Sequence, residues 1–220
     1  MSGVFGIVSK KKCADILLYG TDYHSHMGTE YGGMAVLGKQ FYRSIHDISK
    51  SQFKSKFFDD YKQMKGNLGI GVISDRDPQP LIIASKFGTF AIAAAGLVEN
   101  SDELASELLR DGETFGEMSS GGINAVELMA KLITRGRTLP EGIEGVYDRI
   151  RGSASILLLK REGIYAARDR LGRTPLVIGK RDGEYAIATE TCSFLNLGFR
   201  IKKYLTPGEI VLIRKSKLEE

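Results

Sequence analysis

The 220-residue chain has only two cysteines, Cys13 and Cys192, and they share no CxxC spacing. That excludes a disulfide framework and reads as two buried thiols in a reducing compartment. No apolar run approaches the roughly 20 residues that a membrane-spanning helix needs. No charged-then-apolar leader precedes the first strand, so no secretory signal is read and the expected location is cytoplasmic. Excess charge is scarce as well: 31 Lys and Arg against 27 Asp and Glu leave a net charge of +4. The basic clusters Lys10-Lys11-Lys12, Lys202-Lys203 and residues 214–217 read as solvated strand ends and loops. No stacking platform or recognised motif accompanies them, so neither a nucleic-acid nor a membrane partner is expected. Rossmann and phosphate-loop patterns are missing too, and no cofactor is implied.

What is present suits one large domain over residues 1–220 with a proper core. The hydrophobic fraction is 42% and the charged fraction 26%, ordinary for a globular chain, and 26 glycines imply many turns. Residues 4–8, 34–37, 68–73, 81–84 and 89–95 read as apolar strands, with 41–44 as a hairpin partner. Residues 14–26 and 53–64 carry apolar side chains at helical spacing. A central block follows: a helix over 101–110, a Gly/Ser loop over 118–122, and a helix to about 135. Asn124 and Glu127 supply that last helix with an N-cap and an acid three places on. Pro140 opens another helix through 150. Strands return at 154–160, 164–168, 176–178, 185–189 and 210–213. Two strand blocks around a helical block predict two packed sheets with helices on their outer faces.

Chemistry starts at the N-terminus, Met-Ser-Gly-Val-Phe-Gly-Ile-Val. Removal of Met1 leaves the Ser2 α-amine beside its own hydroxyl, and an α-amine with a pKa of about 7.7–8 can act as a base. Further on stand His26-Met27-Gly28-Thr29-Glu30-Tyr31-Gly32-Gly33, then Ala167-Arg168-Asp169-Arg170-Leu171-Gly172-Arg173-Thr174-Pro175-Leu176. Last come Ala188-Thr189-Glu190-Thr191-Cys192 and Pro207-Gly208-Glu209-Ile210-Val211. In order and spacing these segments resemble the class II glutamine amidotransferases, and within them the glutaminase-type domain of the amidophosphoribosyltransferases of purine synthesis. The resemblance implies a four-layer αββα sandwich of two mostly antiparallel sheets, the N-terminal-nucleophile (Ntn) hydrolase fold, in the α+β class. It also implies that His26, Gly28, Arg168, Asp169, Gly172 and Glu190 hold the fold rather than perform chemistry. In the family a phosphoribosyltransferase domain follows; no such domain is expected within this chain.

The parts that would cut glutamine depart from the family pattern. The nucleophile is Cys there and Ser2 here, and a hydroxyl is not ionised near pH 7. The oxyanion hole is an Asn side chain and a Gly N–H there; here the stretch is Ala94-Ala95-Gly96-Leu97-Val98, so Gly96 survives while Ala95 brings no donor. The Arg that reads the substrate carboxylate corresponds to Ser74, with Arg76 two places on and facing the same side if the strand continues. The Asp that reads the α-ammonium corresponds to Ala125. An engineered exchange would alter position 2 alone, so four altered functions point to a natural loss.

Other clusters weigh less. His24-Ser25-His26 with Asp22 could suggest metal ligands, but positions two apart on a helix do not converge, so no metal is expected. Ser119-Ser120-Gly121-Gly122 could cradle an anion, although a plain loop fits better. The reading is a catalytically degenerate amidotransferase-like module for binding, assembly or regulation. Its partners are a small-molecule amide or amino acid, and a phosphoribosyltransferase domain, a partner subunit or a second copy. The alternatives are an amidohydrolase using Ser2 and a purely structural domain.

Overall fold

The computed structural model describes residues 2–119, 121–215 and 217–219. The chain opens with β1 (Gly3–Val8), helix α1 (Ala14–Asp22) and a 3-10 turn (Ser25–Met27). It continues through β2 (Tyr31–Leu37), β3 (Phe41–Asp47), the short helices α2 (Phe53–Phe57) and α3 (Asp60–Gln63), β4 (Leu68–Ser74), β5 (Leu81–Ser85) and β6 (Gly88–Val98). Then come α4 (Ser101–Arg110), the small hairpin β7 (Met118–Ser119) and β8 (Gly122–Ile123), α5 (Ala125–Arg135) and α6 (Leu139–Arg149). The last part holds β9 (Gly152–Lys160), β10 (Gly163–Ala167), β11 (Val177–Arg181), β12 (Glu184–Ala188), α7 (Cys192–Leu197), β13 (Arg200–Tyr204), β14 (Ile210–Ile213) and β15 (Leu218–Glu219).

One sheet runs β13-β11-β12-β1-β4-β2-β3 and the other β15-β14-β10-β9-β6-β5. Every pairing among the described residues is antiparallel. β1 shows why both sheets are covered on both faces. All six of its residues are buried. Val4 and Val8 point between the sheets, whereas Phe5 and Ile7 point at α1. Such strands lack polar alternation because neither face meets water. A second outer layer of α4, α5 and α6 packs on β5, β6 and β9. The two helical layers and two sheets form the expected αββα sandwich.

Several elements differ from the sequence reading. Helix α1 stops at Asp22, short of the expected His26: Thr21 Oγ1 bonds back within the helix to Leu17 O at 2.7 Å, and past its end His24 Nδ1 donates to the terminal carbonyl of Gly20 at 2.8 Å. The 53–64 helix is broken into two short pieces. The Gly/Ser loop is a small hairpin rather than a plain loop, with Ser120 outside the described residues. Helix α7 and strand β13 carried too weak a pattern: α7 is six residues long, and β13 is a mostly exposed Arg-Ile-Lys-Lys-Tyr edge. Lysines on an edge strand discourage pairing with other chains. Cys13 is buried as expected, but Cys192 is exposed, because it opens the short surface helix α7.

Candidate functional site

A cleft of about 1030 Å³ opens where the chain preceding β1, the ends of β4, β6 and β12, the start of β9 and the N-terminus of α5 converge. Ser2, Gly96, Arg76 and Ala125 line it, so the fold does assemble most of the positions singled out in the sequence.

The β4 exit is the most rebuilt part. β4 ends at Ser74, which is buried, and its Oγ accepts from the N–H groups of Arg76 (3.3 Å) and Asp77 (3.2 Å). The chain turns there, so Arg76 leaves the strand and is exposed in the cleft instead of sharing a side with Ser74. The turn is then clamped to α5. Asn124, fully buried, caps that helix by accepting from Val126 N (2.9 Å) and Glu127 N (3.3 Å), while its Nδ2 donates to Pro78 O at 2.9 Å. Asp77 Oδ1 accepts from Ala125 N at 3.3 Å. A carboxylate therefore stands beside Ala125 although residue 125 itself has none. Glu127 does not close a capping box; it accepts from Gly116 N and Glu117 N and anchors the approach to the β7–β8 hairpin.

The β6 wall keeps a main-chain donor. β5 stops pairing with β6 at Leu81–Ile92. The Gln79 carboxamide continues that edge, accepting from Ala94 N at 2.8 Å and donating to Ala94 O at 3.1 Å. Strand alternation puts the N–H and C=O of Gly96 on the same edge two residues on, beside the cleft. Gly96 has φ +154°, and a Cβ there would lie 1.9 Å from Ser153 O. Ala95 alternates to the other face. It is fully buried between the sheets and does not line the cleft.

The opposite rim joins two of the residues expected from the resemblance to hold the fold. His26 Nε2 lies 2.9 Å from Glu190 Oε2, and Glu190 also lines the cleft. Burial would raise the Glu190 carboxyl, but the His26 contact and the Cys192 thiol hold it below its usual range. Partial burial and the same carboxylate push the Cys192 thiol up. Asp75 accepts from Thr29 N at 2.7 Å; burial opposes its ionisation, and its hydrogen bonds outweigh burial and lower its pKa. His24 faces inward and is fully buried, whereas His26 is 60% exposed, so the two rings do not meet.

Arg168, Asp169 and Gly172 organise the wall behind. Arg168 Nη1 donates to Leu205 O (2.6 Å) and Nη2 to Gly172 O (2.7 Å), which ties the 169–175 loop to the chain before β14. Asp169 is buried and accepts from Thr174 N at 3.4 Å. Gly172 takes φ +66°, and Gly28 is extended at φ −170°. Sequence reasoning missed Asp75, Asp77, Asp102 and Arg173 as cleft residues, since isolated charged loop residues carry no periodic signal.

The comparisons agree with this geometry. Residues 66–196 match the model of the glutamine amidotransferase domain. The amidophosphoribosyltransferase of Methanocaldococcus jannaschii is 30% identical over 99% of this chain and 48% of its own length. That of Synechocystis is 29% identical over 98% of this chain and 46% of its own. The chain thus spans about half the length of the curated relatives it matches. Among solved structures, the glutamine phosphoribosylpyrophosphate amidotransferase of B. subtilis, complexed with ADP and GMP, superposes with a TM-score of 0.87 at 26% identity over 99% of this chain and 48% of that one. A class II domain protein from Silicibacter pomeroyi, at 13% identity and a TM-score of 0.57, shares the fold. The chain belongs to the glutamine amidotransferase domain family and is homologous to the N-terminal class II domains of amidophosphoribosyltransferases.

Proposed function

We propose that this domain no longer hydrolyses glutamine and uses its cleft to bind a small molecule, as a regulatory or assembly module. The observation that carries the reading is the β6 wall. Ala95 offers no side-chain donor, and the one carboxamide on that wall, Gln79, spends both of its ends on the Ala94 backbone. With the Gln79 carboxamide spent and no donor side chain at Ala95, an oxyanion on this wall relies on main-chain N–H groups such as that of Gly96. Loss of a single such donor costs about 10²–10³ in rate. Ser2 compounds the loss, because a hydroxyl needs stronger activation than a thiol. Ser74 and Ala125 add the loss of the two side chains that the family resemblance assigns to the substrate's carboxylate and ammonium groups.

The test is ammonia release from glutamine by protein whose Met1 has been removed, verified by intact mass, beside a Ser2→Ala control. The expected result is equal, background release from both. Release well above the control would make Ser2 a working nucleophile and establish the amidohydrolase reading in place of this one.

A further inference from the structure

Resting on that reading, the geometry points to a specific ligand class: a free α-amino acid with an aliphatic side chain, its ammonium held by Asp77, rather than glutamine. Three features of the cleft converge on it.

The first is its charge pattern. Among the described residues Arg76, Arg173 and Asp102 have no ion-pair partner, and the Asp77 carboxylate accepts only from Ala125 N. Guanidinium and carboxylate groups left unpaired around one cavity complement a zwitterion. Asp77 is the best placed of the acids, because it is half-buried and fixed. Ser74 Oγ holds its N–H, and Asn124 locks the turn onto α5. A carboxylate held in this way binds an ammonium group with little ordering cost.

The second is an unused hydroxyl. Ser119 is 91% buried, lines the cleft, and its Oγ has no hydrogen-bond partner among the described residues. A buried hydroxyl without a partner is costly, and the carboxylate of a bound α-amino acid would accept from it.

The third is the apolar wall. Leu97 is 41% exposed within the cleft, the partly buried Ile123 lines it as well, and the buried Val126 and Met129 back this apolar side. A carboxamide side chain would lose its water against this wall without gaining hydrogen bonds from it. An aliphatic side chain loses no such bonds, and burial of apolar area favours it.

Calorimetric titration of the full chain separates these terms. The probes are L-leucine, L-methionine, L-glutamine and 4-methylpentanoate, which is leucine without its ammonium. Leucine or methionine is expected to bind at least tenfold more tightly than glutamine. Asp77→Asn keeps an acceptor for Ala125 N, and thermal melting checks that it folds. It is expected to weaken leucine at least tenfold and leave 4-methylpentanoate unchanged. Leu97→Asn is expected to narrow the gap between leucine and glutamine. Glutamine binding as tightly as leucine, no binding by any probe, or an Asp77→Asn variant that still binds leucine normally would overturn the assignment. Glutamine turnover above the Ser2→Ala control would instead remove the loss-of-activity reading, so the two failures are distinct.

Discussion

Asn124 concentrates much of what holds the site. It is one fully buried side chain that caps α5 and fastens the β4 exit through Pro78. Asn124→Ala is expected to cost about 0.5–2 kcal/mol for the cap alone, and more because the Pro78 carbonyl loses its donor. Urea denaturation measures that cost. Asn124→Asp, which keeps the cap and loses the amide donor, should fall between the two. The helix-start signal at Asn124 was legible in sequence, since a cap is a local device. Its second bond, 46 residues back along the chain, was not. Asp77 illustrates the same division. In sequence it is one charge in Asp-Arg-Asp-Pro, and only the turn at Ser74 brings it to Ala125.

At the scale of elements, the tightest fit is α1 on β1. A Cβ on Gly20 would lie 2.3 Å from the Phe5 ring, so helix and strand approach only because position 20 is bare. Gly20→Ala is expected to destabilise by about 1–3 kcal/mol through overpacking, despite the better helix propensity of Ala. A lowered urea midpoint with an unchanged m-value would bear this out; an unchanged midpoint would mean that α1 shifts freely. Long apolar strands such as β4 and β6 were readable because burial on both faces leaves a continuous signal. The misread elements were the ones whose limits come from elsewhere. The end of α1 is met by His24, whose ring bonds back to the Gly20 carbonyl, and β13 is a strand only because β11 offers it a partner.

For the whole molecule, acid sensitivity follows from the buried groups. Burial holds His24 below its ordinary value of 6.5, with the nearby Glu190 raising it and His26 lowering it by smaller amounts. Its Nε2 has no partner among the described residues. The unfolded chain therefore takes up that proton first as pH falls, so stability is full above about 6.5 and erodes below it. Glu184 is opposed by burial but held below its ordinary 4.5 by Ser9, Arg181 and the Lys10 N–H, so its contribution is lost only as pH falls below about 4.5. Melting temperature is expected to decline in two stages, one below about pH 6.5 and a second below about pH 4.5, over a scan from about pH 7.5 to 3. His24→Asn should flatten the upper stage, and an unaltered profile would show that His24 is not its source. No described helix is long and apolar enough to cross a membrane. The sequence by itself determined the layered architecture and the family, because burial patterns and short motifs are local and survive at 30% identity. It also determined which side chains stand at positions 2, 74, 95 and 125. The tertiary structure alone decided what those positions do. Ser74 became a turn anchor, Ala95 turned away from the cleft, and Asp77 arrived beside Ala125. A cleft is built where distant segments meet, and no local pattern encodes which unpaired charges will face one another across it.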